Sequence, residues 1–172
     1  MKKLKSDTEV IRQIFQHIDA GTTDLGESDW KEPVENYTSE KRFDAELNLL
    51  KCLPVAFAPS AALLDEGSYI ARPVAGVPII VVRDKSKQLR AFRNACRHRG
   101  KTLVEGEGKT SVFQCRYHGW TYGIDGSLQY VPHEAGFPGL DHGCHGLMPI
   151  HGVIEQGGLV YVCIEELFDQ GA

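Results

Sequence analysis

The sequence has no long hydrophobic run, no basic excess and no even set of cysteines, and each shortage removes a class of function. The longest apolar stretch, Val74 to Val82, is nine residues broken by Gly76 and Pro78, against the roughly 20 that a bilayer-spanning helix needs. No membrane partner is expected. Lys and Arg number 19 against 23 Asp and Glu, a net charge of −4, so the chain lacks the surplus with which nucleic-acid binders neutralise phosphate. Nucleic acid is not expected as a partner either. Five cysteines cannot all pair, and their spacing sets no disulfide ladder; a cytoplasmic location is the expectation. The opening Met1-Lys2-Lys3-Leu4-Lys5 resembles the basic start of an export signal, but Ser6, Asp7, Thr8 and Glu9 stand where its apolar stretch would be. What is present is 42% apolar residues in a chain of 172, enough to build one compact core.

Two helices are expected before residue 54. Val10, Ile11, Ile14, Phe15 and Ile18 recur at helical spacing, Ser6 and Glu9 form a capping-box pattern ahead of them, and Gly21 is a stop. Residues 21–38, rich in Gly, Thr, Asp, Ser and Pro, read as an arm. A second helix is expected to start near Ser39, to bury Phe43, Leu47 and Leu50, and to end before Pro54. Beyond Pro54 the texture changes to short β-prone runs: Val77 to Val82, Leu89 to Ala95, Val112 to Cys115, Leu128 to Val131, Val153 to Glu155 and Leu159 to Ile164. Asp125-Gly126 and Gly157-Gly158 are hairpin signals. Leu159 to Ile164 is apolar at both parities, so that strand is expected to be covered on both faces. The expected organisation is a helical extension over 1–54 and a mainly β, antiparallel domain over 55–168, without internal repeats.

The chemistry is concentrated in Cys96-Arg97-His98 and Cys115-Arg116-Tyr117-His118. Two Cys and two His in short-spaced pairs describe a metal site, and structural zinc uses the same donor types. Zinc fingers group both Cys and then both His, whereas here each Cys is followed by its own His. That order suits a dinuclear cluster with one iron on two thiolates and the other on two imidazoles, the donor set of a Rieske centre. Neutral imidazoles in place of thiolates leave the cluster less negative and easier to reduce.

The pattern C-x-H-x16-C-x2-H, set within CRHRG and CRYHGWTYGIDGSL, resembles the Rieske domain of the alpha subunit of aromatic-ring-hydroxylating dioxygenases of the phenylpropionate dioxygenase type. The likeness runs from about Tyr37 onward and more weakly through the preceding HIDAGTTDLG. It implies a Rieske-type antiparallel β-sandwich with a Rieske [2Fe-2S] cluster, Cys96 and Cys115 on one iron, and His98 and His118 on the other through Nδ1. Both binding loops would sit at strand tips, histidines outward. It also implies one-electron transfer, with a ferredoxin or reductase as electron donor and an oxygenase catalytic domain or neighbouring subunit as recipient. A free-standing Rieske ferredoxin is one alternative; a zinc-stabilised structural or interaction module is another.

The likeness also has gaps. The family's catalytic domain holds a mononuclear iron through two His and one carboxylate, and none of His17, His98, His118, His133, His142, His145 and His151 falls in its D-x2-H-x4-H spacing. The chain is therefore expected to carry an electron-transfer centre and not to hydroxylate alone. Respiratory Rieske proteins add a disulfide between the loops and a serine two residues after the second ligating His. Here the matching positions are Lys101 and Tyr117 for the disulfide and Trp120 for the serine, so a potential low in the family range is expected. Asp141, His142, Cys144 and His145 lie in a Gly- and Pro-rich loop and read as solvated. Cys52 and Cys163 read as small core residues, Trp120 as packing that keeps a cluster dry, and Arg97, Arg99 and Arg116 either as solvated charges or as a docking site for an acidic carrier.

Overall fold

The computed structural model describes residues 4–26 and 28–166. The reading of Met1 to Lys3, and the end of the 55–168 range at 167–168, lie outside the described residues. The chain divides into two compact units, Met1–Ser39 and Glu40–Ala172.

In the first unit, helix α1 spans Asp7–Ala20. The Ser6 hydroxyl accepts from the Glu9 N–H, the Glu9 carboxylate accepts from the Ser6 N–H, and Gly21 ends the helix in the left-handed region at φ 62°. These are the start and stop expected. The predicted apolar face also forms, but Val10, Ile11, Ile14, Phe15 and Ile18 are exposed. The arm that follows contains one helical turn, α2, Glu35–Thr38.

The second unit opens with α3, Glu40–Cys52. Its limits match the expectation and its burial does not: Phe43 and Leu50 are exposed and no residue of the helix is buried. Helical periodicity specifies a face but not what covers it. Among the described residues ten strands follow, all paired antiparallel, in three sheets. They are β1 (Val55–Pro59), β2 (Ser68–Val74), β3 (Val77–Arg83), β4 (Leu89–Arg93), β5 (Gly106–Lys109), β6 (Val112–Gln114), β7 (Thr121–Gly123), β8 (Leu128–Tyr130), β9 (Gly152–Gln156) and β10 (Leu159–Cys163). The sheet orders are β1-β10-β9, β4-β3-β2-β5 and β6-β7-β8.

The middle sheet, β4-β3-β2-β5, separates two hydrophobic cores. Successive side chains on a strand point to opposite faces, and β3 uses both. Ile79 and Val81 join Phe57, Leu63, Val160, Val162 and Ile164 on one side, while Ile80 and Val82 join Phe92, Phe113, Trp120 and Tyr122 on the other. That second core also contains Cys96 and Cys115. Strand β10 differs from expectation: Val160 and Val162 are buried, whereas Leu159 is exposed and Tyr161 and Cys163 are half-buried, so only one of its faces is covered. Arg83 ties the far side together. Its buried guanidinium makes a two-pronged pair with Glu155 of β9 at 2.9 and 3.1 Å and donates to the Leu63 carbonyl at 2.7 Å.

The turns are as expected at two places. Gly157 and Gly158, at φ 59° and 78°, close the β9–β10 hairpin. Gly126, at φ 87°, closes the β7–β8 turn, and a Cβ there would stand 2.4 Å from the Phe92 ring, so only glycine lets this turn rest on the cluster-side core.

Candidate metal centre

The four candidate ligands arrive on two loops built alike. Cys96 follows β4, and Cys115 leads from β6 toward β7. In the first loop the Gly100 N–H donates to the Cys96 carbonyl at 2.8 Å and the Cys96 N–H donates to Lys101 O at 2.9 Å. In the second, Gly119 N–H donates to Cys115 O at 2.9 Å and Cys115 N–H to Trp120 O at 2.8 Å. The two glycines have φ 72° and 71°. Each loop is therefore one turn closed by the same pair of bonds onto its leading cysteine. The histidine sits two residues after the cysteine in one and three in the other, which hides the likeness in the sequence.

The donors come together as two pairs sorted by type. Cys96 and Cys115 are both free and buried. Burial pushes the Cys96 thiol up, and the neighbouring Cys115 thiol acts in the same direction, against a hydrogen bond from Tyr122. Beside them the His98 and His118 rings lie 4.7 Å apart. Among the described residues, no three or more Cys, His, Asp and Glu side chains are arranged to hold one metal ion. Two protein donors per iron are what a [2Fe-2S] centre asks for, the sulfides supplying the remainder.

The two histidines have different surroundings. His118 is exposed, with Tyr117 at 3.8 Å between ring centroids. His98 is half-buried and stacks on Trp120 at 5.0 Å with only 6° between planes. Phe137 meets the His98 ring edge-on at 5.8 Å. Burial first, then the charges of His118 and Arg99, hold His98 below the ordinary imidazole range. Its Nδ1 is buried and has no hydrogen-bond partner. A buried polar atom without a partner is costly and needs a reason, and a metal bond is one that fits: the residues present suit an iron on this nitrogen.

One contributor was missed in the sequence. Tyr122, fully buried on β7, has its hydroxyl 3.3 Å from Cys96 Sγ and accepts the Arg97 N–H at 2.9 Å. With the backbone donating into the phenol oxygen, the phenol hydrogen is free to point at sulfur. Burial, together with the contact to Cys96, raises the Tyr122 pKa, so the group stays a donor. Nothing in the sequence marks Tyr122 beyond its place two residues after Trp120.

The other singled-out residues lie elsewhere. Trp120 is buried in the ligand-side core. Cys52 and Cys163 are half-buried rather than core residues, the Cys163 thiol donating to Cys52 O at 3.1 Å. Asp141 accepts from the Gly143 N–H and the Cys144 thiol, His145 Nδ1 bonds Asp141 O, and His142 bonds Glu134 and Leu128 O. Arg97, Arg99, Lys101 and Arg116 are exposed around the loops and, among the described residues, none forms an ion pair. No helix among the described residues is long and apolar enough to cross a membrane.

Comparison with known proteins gives the family. The naphthalene 1,2-dioxygenase large oxygenase component of Pseudomonas aeruginosa is 38% identical over 131 residues, 74% of this chain and 29% of its own length. The carnitine monooxygenase oxygenase subunit of Escherichia coli K12 is 33% identical over 135 residues, 77% of this chain and 36% of its own. The chain thus spans about a third of the length of these relatives. Among solved structures, a quaternary ammonium Rieske monooxygenase described for carnitine oxidation and inter-subunit electron transfer superposes with a TM-score of 0.74 at 34% identity, covering 80% of this chain and 38% of that one. Naphthalene 1,2-dioxygenase from Rhodococcus sp. superposes at 0.73 with 28% identity, covering 93% and 36%. The sequence signature of the Rieske [2Fe-2S] domain matches residues 54–142, a stretch that includes both ligand loops. The chain belongs to the Rieske [2Fe-2S] domain family, of the kind found in Rieske oxygenase large subunits, and its cofactor is a Rieske-type [2Fe-2S] cluster.

Proposed function

We propose that Cys96 and Cys115 ligate one iron of the cluster and that His98 and His118, through Nδ1, ligate the other. In this reading the chain accepts single electrons as the electron-receiving part of a ring-hydroxylating oxygenase. The observation that carries it is His98 Nδ1, buried and unpartnered beside two buried free thiols. When bound, the cluster supplies a one-electron couple, at a higher potential than an all-thiolate cluster would have. The chain's own residues do the rest. The twin turns hold the donors in place, Trp120, Phe113 and Leu103 keep water from the sulfurs, and Tyr122 directs a hydrogen bond at Cys96 Sγ.

Exposed His118 gives the centre an open side. The unpaired cations Arg97, Arg99, Lys101 and Arg116 around it suit a docking electron donor with an acidic face, a ferredoxin or reductase. The recipient is an oxygenase catalytic domain or neighbouring subunit. Residues 55–168 form the electron-carrying unit, with 1–54 as its helical extension, in the cytoplasm.

Iron and sulfide analysis with EPR tests the reading. Protein from iron-replete anaerobic expression is expected to hold two irons and two acid-labile sulfides and to give a rhombic Rieske signal when reduced. Cys96→Ser and Cys115→Ser are expected to abolish the cluster, and His98→Ala and His118→Ala to abolish it or make it labile. Cys52→Ser, Cys144→Ser and Cys163→Ser are expected to keep it. Stoichiometric zinc, or loss of colour in Cys144→Ser, would refute the assignment.

A further inference from the structure

The segment after β8 folds back over the first ligand loop. It begins at Pro132, which lies against the second: a Cβ on Gly119 would stand 2.9 Å from the Pro132 ring. His133 then takes a left-handed conformation at φ 54°, uncommon for a residue with a side chain, and turns the chain toward the ligands. A tight turn at Glu134–Gly136 follows, with Gly136 N–H donating to His133 O and Phe137 N–H to Glu134 O, both at 2.8 Å. This delivers Phe137 edge-on to His98 at 5.8 Å and to Trp120 at 5.7 Å. Phe137 thus stands across the side of the stacked His98 and Trp120 rings, perpendicular to both.

One imidazole ties the two sides of this segment to each other and to β8. His142 Nδ1 lies 3.0 Å from the Leu128 carbonyl on β8, and Nε2 lies 3.0 Å from Glu134 Oε1 at the foot of the segment. Both partners are acceptors, so the ring donates through both nitrogens, linking the two ends of a span of chain that has Phe137 at its middle. Farther along, Asp141 caps the turn His142–Cys144, and Leu147 N–H returns to Gly126 O at 2.7 Å.

We infer that residues 132–147 are a strap, fastened by Glu134 and His142, whose Phe137 fixes the plane of the His98 ring. Glu134, His142 and Phe137 are positioning residues. None touches the sulfurs, and they act on the centre by restricting how His98 turns about its ring bond while Nδ1 faces inward. Edge-to-face contacts of this kind fix ring orientation as well as adding burial. His118 also has a ring neighbour, Tyr117 at 3.8 Å, but both of those rings are exposed, whereas His98 is half-buried against a buried indole. The inference rests on the ligand reading above and adds that the two imidazoles differ in freedom, His98 being the restrained one.

Two measurements on the holoprotein test it. Hydrogen exchange reads the fastening: in Glu134→Gln the amides of Phe137 and Leu140 are expected to exchange about two- to fivefold faster, the effect of losing one solvent-exposed ion pair. Pulsed EPR on reduced, ¹⁵N-histidine-labelled protein reads the positioning. The wild type is expected to show two resolved nitrogen couplings. Phe137→Ala is expected to smear one of them out and leave the other, Phe137→Tyr to restore it, and Glu134→Gln to reproduce the loss with Phe137 still present. Unchanged couplings in Phe137→Ala, equal loss of both, or unchanged exchange in Glu134→Gln would overturn the proposal while leaving the ligand assignment intact. A wild type with no Rieske spectrum would remove the ligand assignment, and the proposal with it.

Discussion

Replacing Tyr122 by Phe removes one oxygen and with it two bonds of different kinds, which should be readable separately. The Arg97 N–H loses its 2.9 Å acceptor. That amide is only partly buried, so the cost belongs near the bottom of the about 1–3 kcal/mol range for an orphaned group, about 1 kcal/mol. The second bond, to Cys96 Sγ at 3.3 Å, matters for redox. A donor facing sulfur stabilises whichever state puts more negative charge there, which is the reduced state. If the bond is stronger by about 0.5–1.5 kcal/mol after reduction, a fraction of a charge-assisted hydrogen bond, its removal lowers the midpoint. At about 1.4 kcal/mol and 59 mV per tenfold for one electron, the fall is about 20–60 mV. Protein-film voltammetry at pH 7 measures it, and urea unfolding followed by the visible chromophore measures the stability change. A midpoint within about 10 mV of wild type, with the cluster at full occupancy, would show that the phenol does not donate to sulfur.

Four further outcomes are expected from the same structure and sequence. The wild-type midpoint is expected near the low end of the Rieske range, roughly −150 mV, because Lys101 and Tyr117 cannot form the loop-bridging disulfide and Trp120 replaces a serine donor; a value above about +100 mV would refute an oxygenase-type centre. Supplied with reductant, oxygen and aromatic compounds, the chain alone is expected to accept electrons and form no hydroxylated product, and cis-diol formation without another polypeptide would contradict this. Gly126→Ala is expected to cost about 2–4 kcal/mol in urea unfolding, combining a left-handed backbone at φ 87° with a Cβ 2.4 Å from Phe92; a loss under about 1 kcal/mol would mean the turn moves freely. His142 is raised above the ordinary imidazole range by its bond to Leu128 O, then by Glu134, with Asp141 adding charge. A raised group contributes its stability below the unfolded value, about 6.5, and loses it as pH climbs through the folded one. NMR titration should therefore place His142 above about 6.5 and Glu134→Gln should bring it down, while strap amides lose protection on the alkaline side.

How much of this was legible beforehand depended on whether the signal was local. The candidate ligands could be singled out because each Cys–His spacing is two or three residues and the pairs are unlike those of zinc fingers. The capping box at Ser6 and Glu9 and the turns at Asp125-Gly126 and Gly157-Gly158 were also readable, since each is complete within four residues. Strands β1, β2 and β5 were not anticipated, and β7 only as the arm leading into the Asp125-Gly126 turn. Strand β2 carries Arg72 and Pro73, β5 is Gly-rich and wholly exposed, and β7 is three residues long; β2 and β7 are paired on both sides and β5 is an edge strand on β2, so each exists because of its partners and not because of its own composition. The same limit hid the phenol of Tyr122, 26 positions from Cys96, and the strap, whose fastener joins His142 to a residue eight positions earlier. Phe43 and Leu50 show the opposite error, where a correct helical period was read as burial.

The alternation along β3 links the side of the molecule that contains Cys96 and Cys115 to a separate core. Ile79 and Val81 are packed with Val160 and Val162, and their immediate chain neighbours Ile80 and Val82 share a core with Cys96 and Cys115. A strand with both faces committed cannot shift by one residue without exchanging the two interiors, nor loosen on one side while staying rigid on the other. The centre's colour is therefore a gauge for the remote interior. A small void opened by Val81→Ala, far from any ligand, should be visible as faster bleaching of the holoprotein under mild denaturant, so that a spectrophotometer follows packing that has no chromophore of its own.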